Sequence, residues 1–155
     1  MRNIRHYYDL VDRYIYHNDP GEQSGQPQES KSGMNAAHCV FPTPDIIKTA
    51  EYYHDKLGFI RVLNMDAREK YIALKRDGIE LMLTESNGQK VVPNHELYGY
   101  GGDAYVTVTD LQALQDEFEA KGVRIVQPLH ESDFRKKEFV IEDIDGRWIY
   151  FGSNE

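Results

Sequence analysis

The chain has 155 residues, 40% hydrophobic and 28% charged, which is ordinary usage for a globular domain. Its formal net charge of −8 argues against nucleic acid or an anionic membrane as the main partner, and it favours cationic ligands through long-range attraction. Cys39 is the only cysteine, which excludes an internal disulfide, and no apolar run reaches the roughly 20 residues of a membrane span. The leading residues lack the apolar stretch of a secretory signal, so a cytoplasmic protein is expected.

Residues 1–17 place Ile4, Tyr7, Tyr8, Val11, Tyr14 and Ile15 at spacings of three and four, which predicts an amphipathic helix. Asp19-Pro20-Gly21 stops it. Residues 18–35 are rich in Gln, Ser, Gly and Pro and read as a flexible linker. A docking helix and a simple extension both fit this pattern, and Met34 stands just before the first predicted strand.

From residue 36 to 153 the chain writes one pattern twice. His38 to Thr43 reads as a strand, and Asp45 caps a helix whose buried stripe is Ile46, Ala50, Tyr53 and Leu57. Gly58 takes the left-handed position that ends it. Strands are expected at Ile60 to Leu63, Lys70 to Lys75 and Ile79 to Thr84, the last two joined by a hairpin at Arg76-Asp77-Gly78.

The second copy opens with a strand from Asp103. Asp110 caps its helix, Leu111, Leu114, Phe118 and Val123 form its stripe, and Lys121-Gly122 ends it. Strands follow at Arg124 to Gln127, Glu138 to Glu142 and Trp148 to Phe151. Phe139 and Ile141 alternate with Glu138, Val140 and Glu142, which suits one buried face. Asp143, Asp145 and Gly146 supply the turn, and Trp148-Ile-Tyr-Phe, apolar on both faces, reads as a central strand. The offset from Asp45 to Asp110 agrees with that from Gly58 to Gly122 to within one residue. The fold class is therefore α+β, with two βαβββ modules whose sheet faces must be buried together.

The order and spacing of these pieces resemble the vicinal oxygen chelate superfamily: glyoxalase I, extradiol dioxygenases, and the fosfomycin- and bleomycin-resistance proteins. The matching stretches are His38-Cys-Val-Phe-Pro-Thr-Pro-Asp with Leu57-Gly58-Phe59, Val108-Thr-Asp-Leu111 with Lys121-Gly122-Val123, and Asp143-Ile-Asp-Gly146. The resemblance implies a glyoxalase/bleomycin-resistance-like fold in which the two modules form a curved mixed sheet cup.

In metal-dependent members of that superfamily, strand residues from both copies hold a divalent ion. By position these are His38, Glu80, Asp103 and Tyr150 here. Tyr150 replaces the usual carboxylate, and a phenol with a pKa of about 10 is a poor ligand at neutral pH. Asp103 replaces a histidine. The resemblance therefore points to the bleomycin-resistance branch, which lacks the metal set, forms homodimers and sequesters a cationic, aromatic antibiotic without breaking a bond. The expected ligand-binding residues are His38, Val40, Glu80, Met82, Tyr98, Asp103, Tyr105, Phe134, Trp148 and Tyr150, with no cofactor, no catalytic residue, no nucleic acid and no membrane.

The alternative is a metal-dependent glyoxalase-type lyase or dioxygenase using a divalent metal on His38, Glu80 and Asp103. Cys39 alternates away from His38 and is expected in the core. His54 is expected in solvent, and His95 and His130 in loops. The long connection from Ser86 to Gly102, with Tyr98 and Tyr100 beside glycines, reads as a mobile rim or a dimer contact.

Overall fold

The computed structural model describes residues 33, 35–62, 70–132 and 136–153, and residues 37–155 form one compact unit. The expected leading helix, the linker up to residue 32 and Phe134 lie outside the described residues.

The first module is β1 (Cys39–Thr43), α1 (Ile46–Asp55), β2 (Ile60–Arg61), β3 (Tyr71–Arg76) and β4 (Ile79–Glu85). A short helix, α2 (Asn94–Tyr98), stands in the connection. The second module is β5 (Ala104–Thr107), α3 (Leu111–Ala120), β6 (Arg124–Glu131), β7 (Lys137–Glu142) and β8 (Trp148–Gly152). Each module makes one four-stranded mixed sheet, ordered β1-β4-β3-β2 and β5-β8-β7-β6. The outer strand of each parallel pair, β1 or β5, has no second neighbour among the described residues.

Local chemistry sets these elements. The Asp45 carboxylate accepts the Lys48 amide at 3.0 Å, and that of Asp110 accepts the Ala113 amide at the same distance, so both helices start on an aspartate cap. Gly58 and Gly122 follow them at φ +72° and +70°, a conformation that costs glycine nothing.

Strand alternation divides each sheet into two faces. Phe41, Ile72, Leu74, Leu81 and Leu83 share one face with α1; Phe139, Ile141, Ile149 and Phe151 share one with α3. These inner faces meet in a single core through Tyr53, Leu57, Phe59 and Phe118. Phe139 and Phe151 stack at 5.0 Å, and Phe118 meets Phe151 edge-on at 5.4 Å.

Several expectations need correction. β7 buries Val140 as well as Phe139 and Ile141, because it lies between two strands with Tyr150 and Gln127 in register beside Val140. β6 runs past Pro128 to Glu131, with register shifts that an edge strand tolerates. His130 therefore lies in a strand, not a loop. Cys39 is exposed, being the first residue of an edge strand. The Ser86–Gly102 connection contains α2, which carries His95 and starts where the Asp103 carboxylate accepts the Asn94 amide at 3.2 Å. Tyr98 and Tyr100 are exposed, as the sequence suggested.

The modules are joined by a buried polar knot. Arg147 is 2% exposed and donates to Asp143 Oδ2 at 2.9 Å, to Asp145 Oδ2 at 3.0 Å and to the Pro42 carbonyl of the other module. Its guanidinium lies 4.7 Å from the Phe41 ring centre. Tyr53 donates to Asp143 at 2.8 Å, and Thr49 donates to Asp145 at 3.1 Å. The Asp143 carboxylate also accepts the amides of Asp145 and Arg147, which closes the turn. Sequence reading assigned these aspartates to turn chemistry and missed their second role.

Candidate functional site

The outer faces of the two sheets are those turned away from the common core. In the first module Val40, Met82 and Ala73 lie in one cross-strand row; Glu80 sits beside Lys75 in the next row, and Pro42, Thr84 and Tyr71 form another. His38 precedes this alternation at the same parity as Val40. In the second module Tyr105, Tyr150 and Val140 form a row, Trp148 lies beside Glu142, and Gly152 beside Glu138. Val40, Tyr71 and Tyr105 are each more than half exposed, at 51%, 55% and 52%. Exposed apolar side chains clustered on a sheet face are candidates for a binding surface.

Two glycines shape the second face. A Cβ on Gly152 would collide with the Tyr105 ring, and one on Gly102 would collide with the Tyr150 ring. Each tyrosine therefore packs down on bare backbone. The two rings are nearly parallel, 17° apart, with centroids 6.5 Å from each other. Such rings present π faces to a flat partner.

Trp148 is placed differently. His95 covers its indole at 4.0 Å between ring centres, and its Nε1 donates to Glu142 at 3.3 Å. Part of its stacking surface is thus taken by α2. The His95 Nδ1 atom is buried there with no hydrogen-bond partner among the described residues.

The acids differ in their commitments. Asp103 accepts the Asn94 amide on one oxygen and the Trp148 amide on the other, each at 3.2 Å. It holds α2 against β8. Glu142 also pairs with Arg124 at 2.8 Å. Burial pushes the Glu138 carboxyl up from its ordinary range, while His130, 3.6 Å away, and Lys136 pull it back down. Glu138 and Glu142 were not singled out from sequence, although their alternation with Val140 placed them on the face of Tyr150.

The donor set does not fit a metal ion within one chain. Among the described residues no three His, Cys, Asp or Glu side chains gather as a group able to hold one, so His38, Glu80 and Asp103 do not converge. Both Asp103 oxygens already accept backbone amides, and Tyr150 offers a neutral phenol.

Nor does one chain gather the sequence-derived residues into one cup. Val40, Glu80 and Met82 belong to one sheet, with His38 just ahead of its strand β1, and Tyr105, Trp148 and Tyr150 to the other. Val40 and Asp103 do line a common cavity of about 360 Å³ with Val91, Val92 and Arg147. Tyr98 lies on α2, 64% exposed.

Residues 35–151 match the model of the Glyoxalase/Bleomycin resistance protein/Dioxygenase superfamily. No curated protein matches the chain. The fold is similar to that of a bleomycin resistance determinant encoded on transposon Tn5, with a TM-score of 0.63 and 20% identity over 79% of this chain and 99% of that one. It is also similar to the bleomycin-binding protein of bleomycin-producing Streptomyces verticillus, solved with copper(II)-bleomycin, with a TM-score of 0.61 and 21% identity over 79% and 98% of the two chains. TioX from Micromonospora sp. ML1 matches with a TM-score of 0.59 and 20% identity over 77% of this chain and 100% of its own. At these identities the likeness establishes the fold.

Proposed function

The chain belongs to the glyoxalase/bleomycin resistance protein/dioxygenase superfamily, and from that premise we propose that it is a homodimeric, non-catalytic binding protein that sequesters a cationic, aromatic small molecule of the bleomycin class. The observation that carries this reading is the set of exposed aromatic and aliphatic side chains on the two outer faces, Val40, Tyr71 and Tyr105 each being more than half exposed. One is lined by Val40, Tyr71 and Met82, the other by Tyr105 and Tyr150 seated on glycines. Each is half of a cleft. A second copy that sets its β5-β8 face opposite the β1-β4 face of the first would unite His38, Glu80 and Met82 with Tyr105 and Tyr150. The solved bleomycin-binding proteins of the same fold support the choice of ligand class.

The chemistry is capture. Flat rings stack on Tyr105 and Tyr150, each aromatic pair contributing about 0.5–1.5 kcal/mol beyond area. Glu80, Glu138 and the net charge of −8 attract the cation, so the association rate falls with added salt. Asp103 acts by holding α2, not as a ligand contact. No bond is broken, and no metal or other cofactor is required.

Isothermal titration with bleomycin, together with sedimentation analysis, tests the proposal. A dimer that binds the drug, weakened by Tyr105→Ala and by Tyr150→Ala, is the expected result. A monomer that gives no heat sinks it. Retention of a stoichiometric transition metal in untagged protein would move the reading to a metal-dependent enzyme.

A further inference from the structure

The inner faces of the two sheets do not close completely against each other. Between them lies a cavity of about 530 Å³, floored by Phe41, Leu81, Val106, Phe118, Ile149 and Phe151. Protein interiors hold few voids larger than a water molecule, and small-molecule pockets span roughly 300–1,000 Å³. The chamber is on the opposite side of each sheet from the outer faces. Phe41 and Leu81 alternate along their strands with Val40 and Met82, as Val106 and Ile149 do with Tyr105 and Tyr150.

The charges at its rim are already engaged. Arg76 of the first module meets Glu117 of the second with two hydrogen bonds, at 2.7 and 3.1 Å, and donates to the Leu57 carbonyl at 2.7 Å. Asp110 caps α3. Asp77 stands in solvent beside Arg76 Nε. Deeper in, the Tyr53 hydroxyl is donated to Asp143. The lining is mostly ring and aliphatic carbon, with Thr107 and Thr109 among it, and its cation Arg76 is already paired, so a largely hydrocarbon guest suits it better than a charged one.

We infer that this chamber is a second binding site, separate from the outer faces, and that it takes an uncharged, largely hydrocarbon molecule. The Arg76–Glu117 pair joins the two modules and lines the chamber, so it would act as a latch on a guest's entry. Gly58 sits under that latch: a Cβ there would lie 3.0 Å from Arg76 Nη1.

The test uses N-phenyl-1-naphthylamine, a neutral dye that fluoresces in apolar surroundings, titrated into the full chain. Saturable binding of one dye per chain is expected. Val106→Phe fills the chamber and should weaken binding about tenfold or more, as a pocket does when its shape is lost by one or a few carbons. Tyr105→Ser, on the next residue and the opposite face, should leave it unchanged. Should Val106→Phe fail to fold, Ala104→Leu fills the same chamber from a neighbouring lining position. Bleomycin should not displace the dye. Absence of saturable binding, loss of binding in Tyr105→Ser alone, or displacement by bleomycin would each overturn the proposal, and the first two do not depend on whether bleomycin itself binds.

Discussion

Two hairpins hold matching places in the repeat, and each sends an arginine into the other module. At the β3–β4 turn Arg76 crosses to Glu117 and stays partly in solvent, with 24% of its side chain exposed against 34% for its partner. At the β7–β8 turn Arg147 crosses to Pro42 and is sealed, its side chain 2% exposed and that of Asp143 fully buried. The difference lies in the local acids. The second turn carries Asp143 and Asp145, which neutralise Arg147 through Nη1 within five residues of chain and leave Nη2 for a carbonyl. The first turn has Asp77, which is 88% exposed and 3.7 Å away, so Arg76 must reach a carboxylate on a distant helix. A guanidinium can be buried where its counter-charges and hydrogen bonds come with it.

The largest expected effect tests that contrast. Arg147→Ala leaves the Asp143 charge buried without its cation and should lose about 3–5 kcal/mol in urea denaturation. Arg76→Ala should lose at most about 1 kcal/mol, as solvated pairs do. Equal losses would erase the distinction between the two turns. Next comes Tyr53→Phe, which removes one donor from Asp143 and should lose about 2 kcal/mol while the fold persists. Asp45→Ala and Asp110→Ala should each lose about 1 kcal/mol, alike because the caps are equivalent in the two copies.

The same contrast extends to pH. Burial, then the charges of Asp143 and Glu142, pushes the Tyr52 hydroxyl up to about 12. Burial and Asp143 also raise that of Tyr53 well above its ordinary value. A group whose folded value lies above its unfolded value of 10.0 stabilises the fold fully below that pH, and the stabilisation is lost as pH rises through the folded value. Thermal unfolding between pH 10 and 12 should therefore show falling stability, shallower in Tyr52→Phe. Absorbance at 295 nm should show these two tyrosines ionising after the exposed ones. At the first turn the sign reverses. Hydrogen bonding from Arg76 lowers the Glu117 carboxyl from 4.5, so that pair contributes above this pH and is lost as pH falls. Glu117→Gln and the wild type should then converge in stability in acid, the smallest effect of the set.

The parts of the fold that sequence revealed are those specified within a few residues of one another. Asp45 and Asp110 sit next to the helices they cap, and the stripe of Ile46, Ala50, Tyr53 and Leu57 follows helical spacing; all four are buried. The central placement of β8 followed from apolar residues on both its faces. What sequence concealed depends on residues far apart. α2 starts on a carboxylate nine positions downstream, Arg147 is held by a carbonyl 105 positions upstream, and His95 finds its place only against Trp148.

The candidate site was legible to the same depth. Alternation assigned Val40, Met82, Tyr105 and Tyr150 to the faces where they lie. It carries no information on which sheet of which molecule stands opposite. Asp103 looked free because the two amides that occupy it belong to other segments.

Gly102 and Gly152 reach beyond packing. Neither offers a side chain to any guest, yet together they decide how the Tyr105 and Tyr150 rings rest. A single added methyl at either place would tip a ring off its seat and re-aim the surface. The shape of this surface can therefore drift at positions that contribute no side chain to it, and a survey of natural variants should watch the voids as closely as the rings.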